Sequence, residues 1–116
     1  MFKSLKKIQD ANEDLASEAN NLKQAKLHEI VADNYVNIKL YEKAIDHYLM
    51  VLESVHHLNN KAKANIYSSI AATYVEMKEY DKGLYYYQRE LEAVDGDYEQ
   101  MSRTHRNIAD IEEKKG

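Results

Sequence analysis

Displaced by 39 residues, the chain lies over itself: 74 − 35 = 39 sets Tyr74 on Tyr35, and the same displacement sets Ile70 on Val31, Ala71 on Ala32 and Tyr80 on Tyr41. Asp81-Lys82 falls on Glu42-Lys43, Leu84 on Ile45, Tyr87 on Tyr48 and Leu91 on Leu52. Asn59-Asn60 falls on Asn20-Asn21, polar pairs suited to the turn between one unit and the next. A period of this length belongs to arrays of stacked supersecondary units, each burying its apolar face only against its neighbours.

Within each copy the apolar residues recur at helical spacing: Leu27, Ile30, Val31 and Tyr35, then Tyr41, Ala44, Ile45, Tyr48 and Leu52. With no Pro and only three Gly, little in the chain interrupts a helix. Each copy therefore reads as a helix, a short turn and a second helix. Helices are expected at roughly 2–19, 22–38, 41–58, 61–77, 80–94 and 98–114, each boundary good to about 2–4 residues. Asp95-Gly96-Asp97 supplies the turn before the last helix, since Gly takes the left-handed conformation that ends helices cheaply. The expected organisation is one domain over residues 1–116. Residues 1–21 form the second helix of a partial repeat, 22–59 and 60–96 two full repeats, and 97–116 the first helix of another partial repeat.

The pattern inside the copies resembles the tetratricopeptide repeat. Ala32 and Ala71 match the small residue where paired helices come closest, Tyr35 and Tyr74 the aromatic three residues on, and Ala44 with Tyr48 the second-helix contacts. Gly83 departs from the usual Ala but remains small, and longer helices account for a period above the usual ~34 residues. The resemblance implies an all-α fold: a tetratricopeptide-type helical hairpin solenoid of about six antiparallel helices in a right-handed superhelical stack. A repeat of this kind implies a scaffold and no particular ligand.

Composition narrows the function. Sixteen basic against 20 acidic side chains, a net charge of −4, is the wrong balance for a domain that binds by neutralising phosphates, so direct nucleic-acid binding is disfavoured. No apolar run approaches the ~20 residues that cross a bilayer. The opening Met1-Phe2-Lys3-Ser4-Leu5-Lys6-Lys7 is basic and amphipathic, but Asp10, Glu13 and Asp14 follow at once, where import and secretion signals avoid acids. Residues 1–19 read instead as folded helix. Without cysteine there are no disulfides or thiolate metal sites, and a reducing compartment is compatible.

Candidate chemistry is sparse. There is no Gly-rich loop to cradle a phosphate, and the carboxylates fall mainly on polar helix faces, where solvation and pairing with lysines explain them. The expectation is a non-enzyme with no cofactor and no small-molecule substrate. His56 and His57 are adjacent and so lack the i,i+4 geometry of helical zinc ligands; a solvated helix end suits them. His28 and His105 fall at a repeat position that packs between helices, so no metal site is expected. Of the ten tyrosines, Tyr35, Tyr41, Tyr48, Tyr74, Tyr80 and Tyr87 occupy repeat contact positions, burying the ring while the hydroxyl reaches a rim. Tyr85 and Tyr86 are unassigned, with an outer helix face the better placement.

Tetratricopeptide arrays line their concave surface with the first helix of every hairpin. Carrying repeat positions across puts Lys26, Glu29, Asp33, Val36 and Asn37 there, then Asn65, Ser68, Ala72 and Glu76, with Arg103, Arg106 and Asp110 from the last helix. In chaperone-binding members of the superfamily a Lys and an Asn at two of these places clamp a terminal carboxylate. Here Glu29 and Asp33 stand there, which turns the expectation toward a basic peptide.

Residues 67 to 116 carry a closer likeness. Ser69-Ile70-Ala71-Ala72-Thr73, Met77-Lys78, Gly83, Tyr87, Glu90-Leu91, Gly96, Thr104, Asn107-Ile108-Ala109 and Glu112-Glu113 are similar, without gaps, to the last tetratricopeptide repeats of Tonsoku-like proteins. Residues 25 to 66 resemble the preceding repeat more loosely, and residues 1 to 24 only as a helix. The resemblance implies a nuclear scaffold that binds newly made histones after replication and serves recombination at damaged forks, with the tail of histone H3 as ligand of the repeats. The ankyrin and leucine-rich repeats of that family are not in this sequence. The expected function is thus a histone-binding or protein-binding segment of a DNA repair scaffold in the nucleus. The alternative is a generic tetratricopeptide adaptor of signalling or transport in the cytoplasm.

Overall fold

The structure, a computed structural model, describes the backbone of residues 2–54 and 59–116 and the side chains of residues 20–53 and 59–116. Its helices are α1 (Phe2–Asn37), α2 (Tyr41–Ser54), α3 (Asn60–Glu76), α4 (Tyr80–Ala93) and α5 (Tyr98–Lys115), and no strand occurs among the described residues. The fold is all-α.

The turns explain where these helices stop. At the end of α1, Lys39 N–H donates to the Val36 carbonyl at 3.0 Å and Leu40 N–H to the Tyr35 carbonyl at 2.8 Å. At the end of α3, Lys78 N–H donates to the Val75 carbonyl and Glu79 N–H to the Tyr74 carbonyl, each at 2.9 Å. Both ends therefore satisfy otherwise orphaned carbonyls by the paired bonds that close a helix ending in a left-handed residue. Asn59 caps α3 by accepting from Ala62 N–H at 2.8 Å, and Asp97 caps α5 by accepting from Gln100 N–H at 3.2 Å. Gly96 between α4 and α5 stands at φ 91°, the left-handed conformation expected of it.

Consecutive helices pack on one another, α1 on α2, α2 on α3, α3 on α4 and α4 on α5. Connections as short as residues 38–40 and 77–79 make each joined pair antiparallel. Ala25 and Ala32 of α1, Ala44, Tyr48 and Val51 of α2, and Ile66 and Ile70 of α3 form one core cluster. Ala71, Tyr87, Ile108 and Ile111 form the next, joining α3, α4 and α5. Ile70 is fully buried, and removing a side chain of that size from water stabilises by about 1.5–3 kcal/mol. Small residues set the closest approaches. Ala32, Ala44 and Ala71 are fully buried, and a Cβ on Gly83 would stand 3.0 Å from Val75 Cγ2.

The 39-residue period also governs the ring contacts. His28 and Tyr35 flank His47 at centroid distances of 5.1 and 5.5 Å, and Tyr67 and Tyr74 flank Tyr86 at 6.3 and 5.7 Å. Each ring of the second trio lies 39 residues after its counterpart in the first.

Several expectations are corrected. The helices expected at 2–19 and 22–38 are one continuous helix of 36 residues, so five helices stand where six were expected. Asn20-Asn21 does not break it, because Asn costs a helix only ~0.7 kcal/mol relative to Ala and no Gly or Pro stands nearby to end the run. The boundary expected between residues 21 and 22 therefore falls inside α1. Leu27, Ile30 and Val31, read as inward-facing, are exposed; the buried residues of this part of α1 are Ala25 and Ala32, which face α2. His105 is exposed on α5 rather than packed between helices. Tyr86 is half-buried in the ring trio while Tyr85 is exposed, so only Tyr85 has the outer-face placement. His56 and His57 lie outside the described residues.

Candidate functional site

Side by side over α2, α1 and α3 leave an open groove. Its floor is Tyr48 and Val51, both buried, from the face of α2 that supports the first core cluster. One cavity in it, of about 490 Å³, is lined by Val36, Asn37, Lys39, Tyr41, Tyr48, Ser69, Ala72, Thr73 and Glu76. A second, of about 370 Å³, is lined by Leu22, Ala25, Lys26, Glu29, Val51, Ala62, Asn65 and Ile66. At 1.5 Å per residue, the α1 wall from Leu22 to Asn37 is ~22 Å long, room for about six or seven residues of extended peptide.

Of the residues read from the sequence, Lys26, Glu29 and Asn65 line the second cavity, and Val36, Asn37, Ala72 and Glu76 line the first. Asp33 stands between them on α1 and accepts a hydrogen bond from the hydroxyl of Tyr48 on the floor. Ser68 lines neither cavity; Ser69 does, because the α3 residues at the groove run 65, 69, 72 and 76, one helical stripe. Arg103, Arg106 and Asp110 are exposed on α5 and line neither cavity. Arg103 instead pairs with Glu99 at 3.7 Å on its own helix, so the last helix does not extend the groove.

Sequence reasoning missed Lys39, Tyr41, Thr73 and the floor. Tyr48 was legible only as a packing residue. A buried tyrosine whose hydroxyl needs a partner was the available signal that it would reach an acid on the neighbouring helix. Burial pushes the Tyr48 hydroxyl well above its usual range, and the hydrogen bond to Asp33 pushes it the same way, so the phenol is a proton donor at neutral pH.

The wall groups suit recognition of a polypeptide. Asn37 and Asn65 are exposed amides, each able to donate to and accept from a peptide backbone. Glu29, Asp33 and Glu76 place three carboxylates along the groove against the ammonium groups of Lys26 and Lys39. Ser69 Oγ donates to the Asn65 carbonyl at 3.1 Å and Thr73 Oγ1 to the Ser69 carbonyl at 2.7 Å, so both hydroxyls are engaged with their own helix. Among the described residues no cluster of three or more His, Asp or Glu is placed to hold a metal ion, and no helix is long and apolar enough to cross a membrane.

No protein-family model matches the chain, and no curated protein matches its sequence.

Proposed function

We propose that this chain is a tetratricopeptide-type protein-binding segment, a right-handed stack of helical hairpins whose α1–α3 groove holds an extended basic peptide such as a histone tail. One observation carries the reading: the groove is floored by Tyr48 and Val51 and walled by Asn37, Asn65 and three carboxylates. The amides hold the peptide backbone, the carboxylates select Lys and Arg side chains, and the apolar floor takes their stems. No reaction and no cofactor are assigned to the groove, and the place of action is the nucleus, as the likeness to Tonsoku-like proteins implies.

The experiment is a titration of a histone H3 tail peptide into parent and Glu76→Lys protein at two salt concentrations. Glu76 is exposed on the cavity wall, so its reversal leaves the fold alone, within about ±0.5 kcal/mol. Binding weakens several-fold in the variant, and parent binding weakens as salt screens charges beyond ~8–10 Å. Equal affinity for both proteins would remove this groove from the mechanism. Absence of parent binding would favour a generic adaptor for another polypeptide, acting in the cytoplasm.

A further inference from the structure

The face of α1 that bears Leu27 and Val31 is bare where its counterpart is covered. Leu27 is 59% exposed and Val31 37%, while Ile66 and Ile70, the residues 39 positions later, are 3% and 0% exposed. Ile66 and Ile70 are covered because α2, the second helix of the preceding hairpin, packs on them through Ala44, Tyr48 and Val51. Leu27 and Val31 have no preceding hairpin, and Ile30 and Ile38 beside them are 53% and 63% exposed. The missing cover is thus a helix antiparallel to α1, with an apolar stripe.

Residues 2–21 have that character. Phe2, Leu5, Ile8, Leu15 and Ala19 recur at three, four or seven residues, one stripe of a helix. In the same chain they cannot fold back, because α1 runs unbroken from Phe2 to Asn37 and carries them along the axis away from Leu27. A second copy can bring them there. Charge order fixes the direction: Lys3, Lys6 and Lys7 are followed by Asp10, Glu13 and Asp14, then Lys23 and Lys26, then Glu29 and Asp33. Reversed about residue 20, each basic block meets an acidic one, whereas a parallel pair sets every block against its own kind.

We propose that a second copy of this chain docks antiparallel on the exposed apolar face of α1, residues 2–21 of each copy covering Leu27, Ile30 and Val31 of the other. The two contacts are equal and close on themselves, as a two-fold interface requires. Together they withdraw on the order of 1,000 Å² from water, the size at which association becomes specific. The groove between α1 and α3 uses a different face of α1 and stays open in each copy.

Sedimentation equilibrium of the full chain at tens of micromolar tests this. The parent is expected at twice the 13.5 kDa of one chain, and Leu27→Glu/Val31→Glu at 13.5 kDa with unchanged helicity, since both residues are exposed in the single copy. A parent that stays at 13.5 kDa, or a double variant that stays dimeric, overturns the proposal. Direction is read by cross-linking, which the absence of native cysteine makes clean. A mixture of Lys7→Cys and Asn34→Cys chains forms a disulfide dimer that neither forms alone. Efficient linkage of each variant to itself would mean a parallel pair and would overturn the antiparallel one.

Discussion

Lys39 and Lys78, 39 residues apart, hold the same left-handed backbone, at φ 64° and 63°. The repeat is thus written into the chain's least comfortable conformation, since a residue with a Cβ costs about 1–2 kcal/mol there and Gly costs almost nothing. Lys78→Gly is expected to raise stability by about 0.5–1 kcal/mol, and Lys39→Gly by a similar amount. Chemical denaturation checks it; a fall in midpoint for both would mean that the lysine side chains stabilise these turns more than their backbone strains them.

Ala32 and Ala71 are both fully buried, one in each core cluster. Leu at either position adds volume to a packed contact and is expected to cost about 1–3 kcal/mol. Ala72, exposed and next in sequence to Ala71, is the control. A Leu there should leave the midpoint nearly unchanged, and equal losses at residues 71 and 72 would contradict the register of α3.

Thr104 ties α5 to α4 through a buried carboxylate. Its Oγ1 donates to Glu90 Oε1 at 2.6 Å, Gln100 Nε2 donates to the same oxygen at 2.9 Å, and Oε2 has no partner among the described residues. Thr104→Val keeps the shape and removes a donor from a carboxylate that is 1% exposed. A loss of about 1–3 kcal/mol is expected from thermal or chemical unfolding. An unchanged midpoint would show that Glu90 does not depend on this donor.

The second hairpin was legible because its pattern is redundant: aromatic, small and β-branched residues fall on helical phase, and real caps stand at Asn59 and Asp97. The break at Asn20-Asn21 was misread because the same dipeptide at 59 and 60 sits at a true helix start. What separates the two sites is whether the flanking residues continue the helix, not the Asn pair itself. Leu27 and Val31 look identical in pattern to Ile66 and Ile70, and sequence cannot say that the helix needed to cover them is absent from the same copy. In the groove, helical phase found most of the α1 and α3 walls but placed Ser68 where Ser69 stands. Extending the walls to Arg103 and Arg106 failed because α5 packs on α4 without bordering the cavities.

Tyr48 and Asp33 couple the groove to the core, and alkaline titration reads that coupling. Burial is the first cause that raises the Tyr48 hydroxyl, followed by the hydrogen bond and charge of Asp33; burial is also the first cause for Tyr86 and Tyr87. These folded-state values exceed the ordinary ~10 of an unfolded tyrosine, so the contribution is present in full below pH ~10. As pH rises further the unfolded chain gives up protons that the folded chain keeps, and stability falls. Tyrosinate absorbance of the folded protein should therefore show a late phase that unfolding abolishes. Asp33→Asn removes the charge but not the burial, so the late Tyr48 phase moves toward neutral pH without joining the bulk phase. Asp33→Lys leaves the buried hydroxyl without its acceptor, at a cost of about 1–3 kcal/mol rather than that of a free surface charge, which is why Glu76 is the cleaner probe of the groove. A single tyrosine transition near pH ~10 in the folded parent would mean that Tyr48 is open to solvent and that the groove lacks this floor.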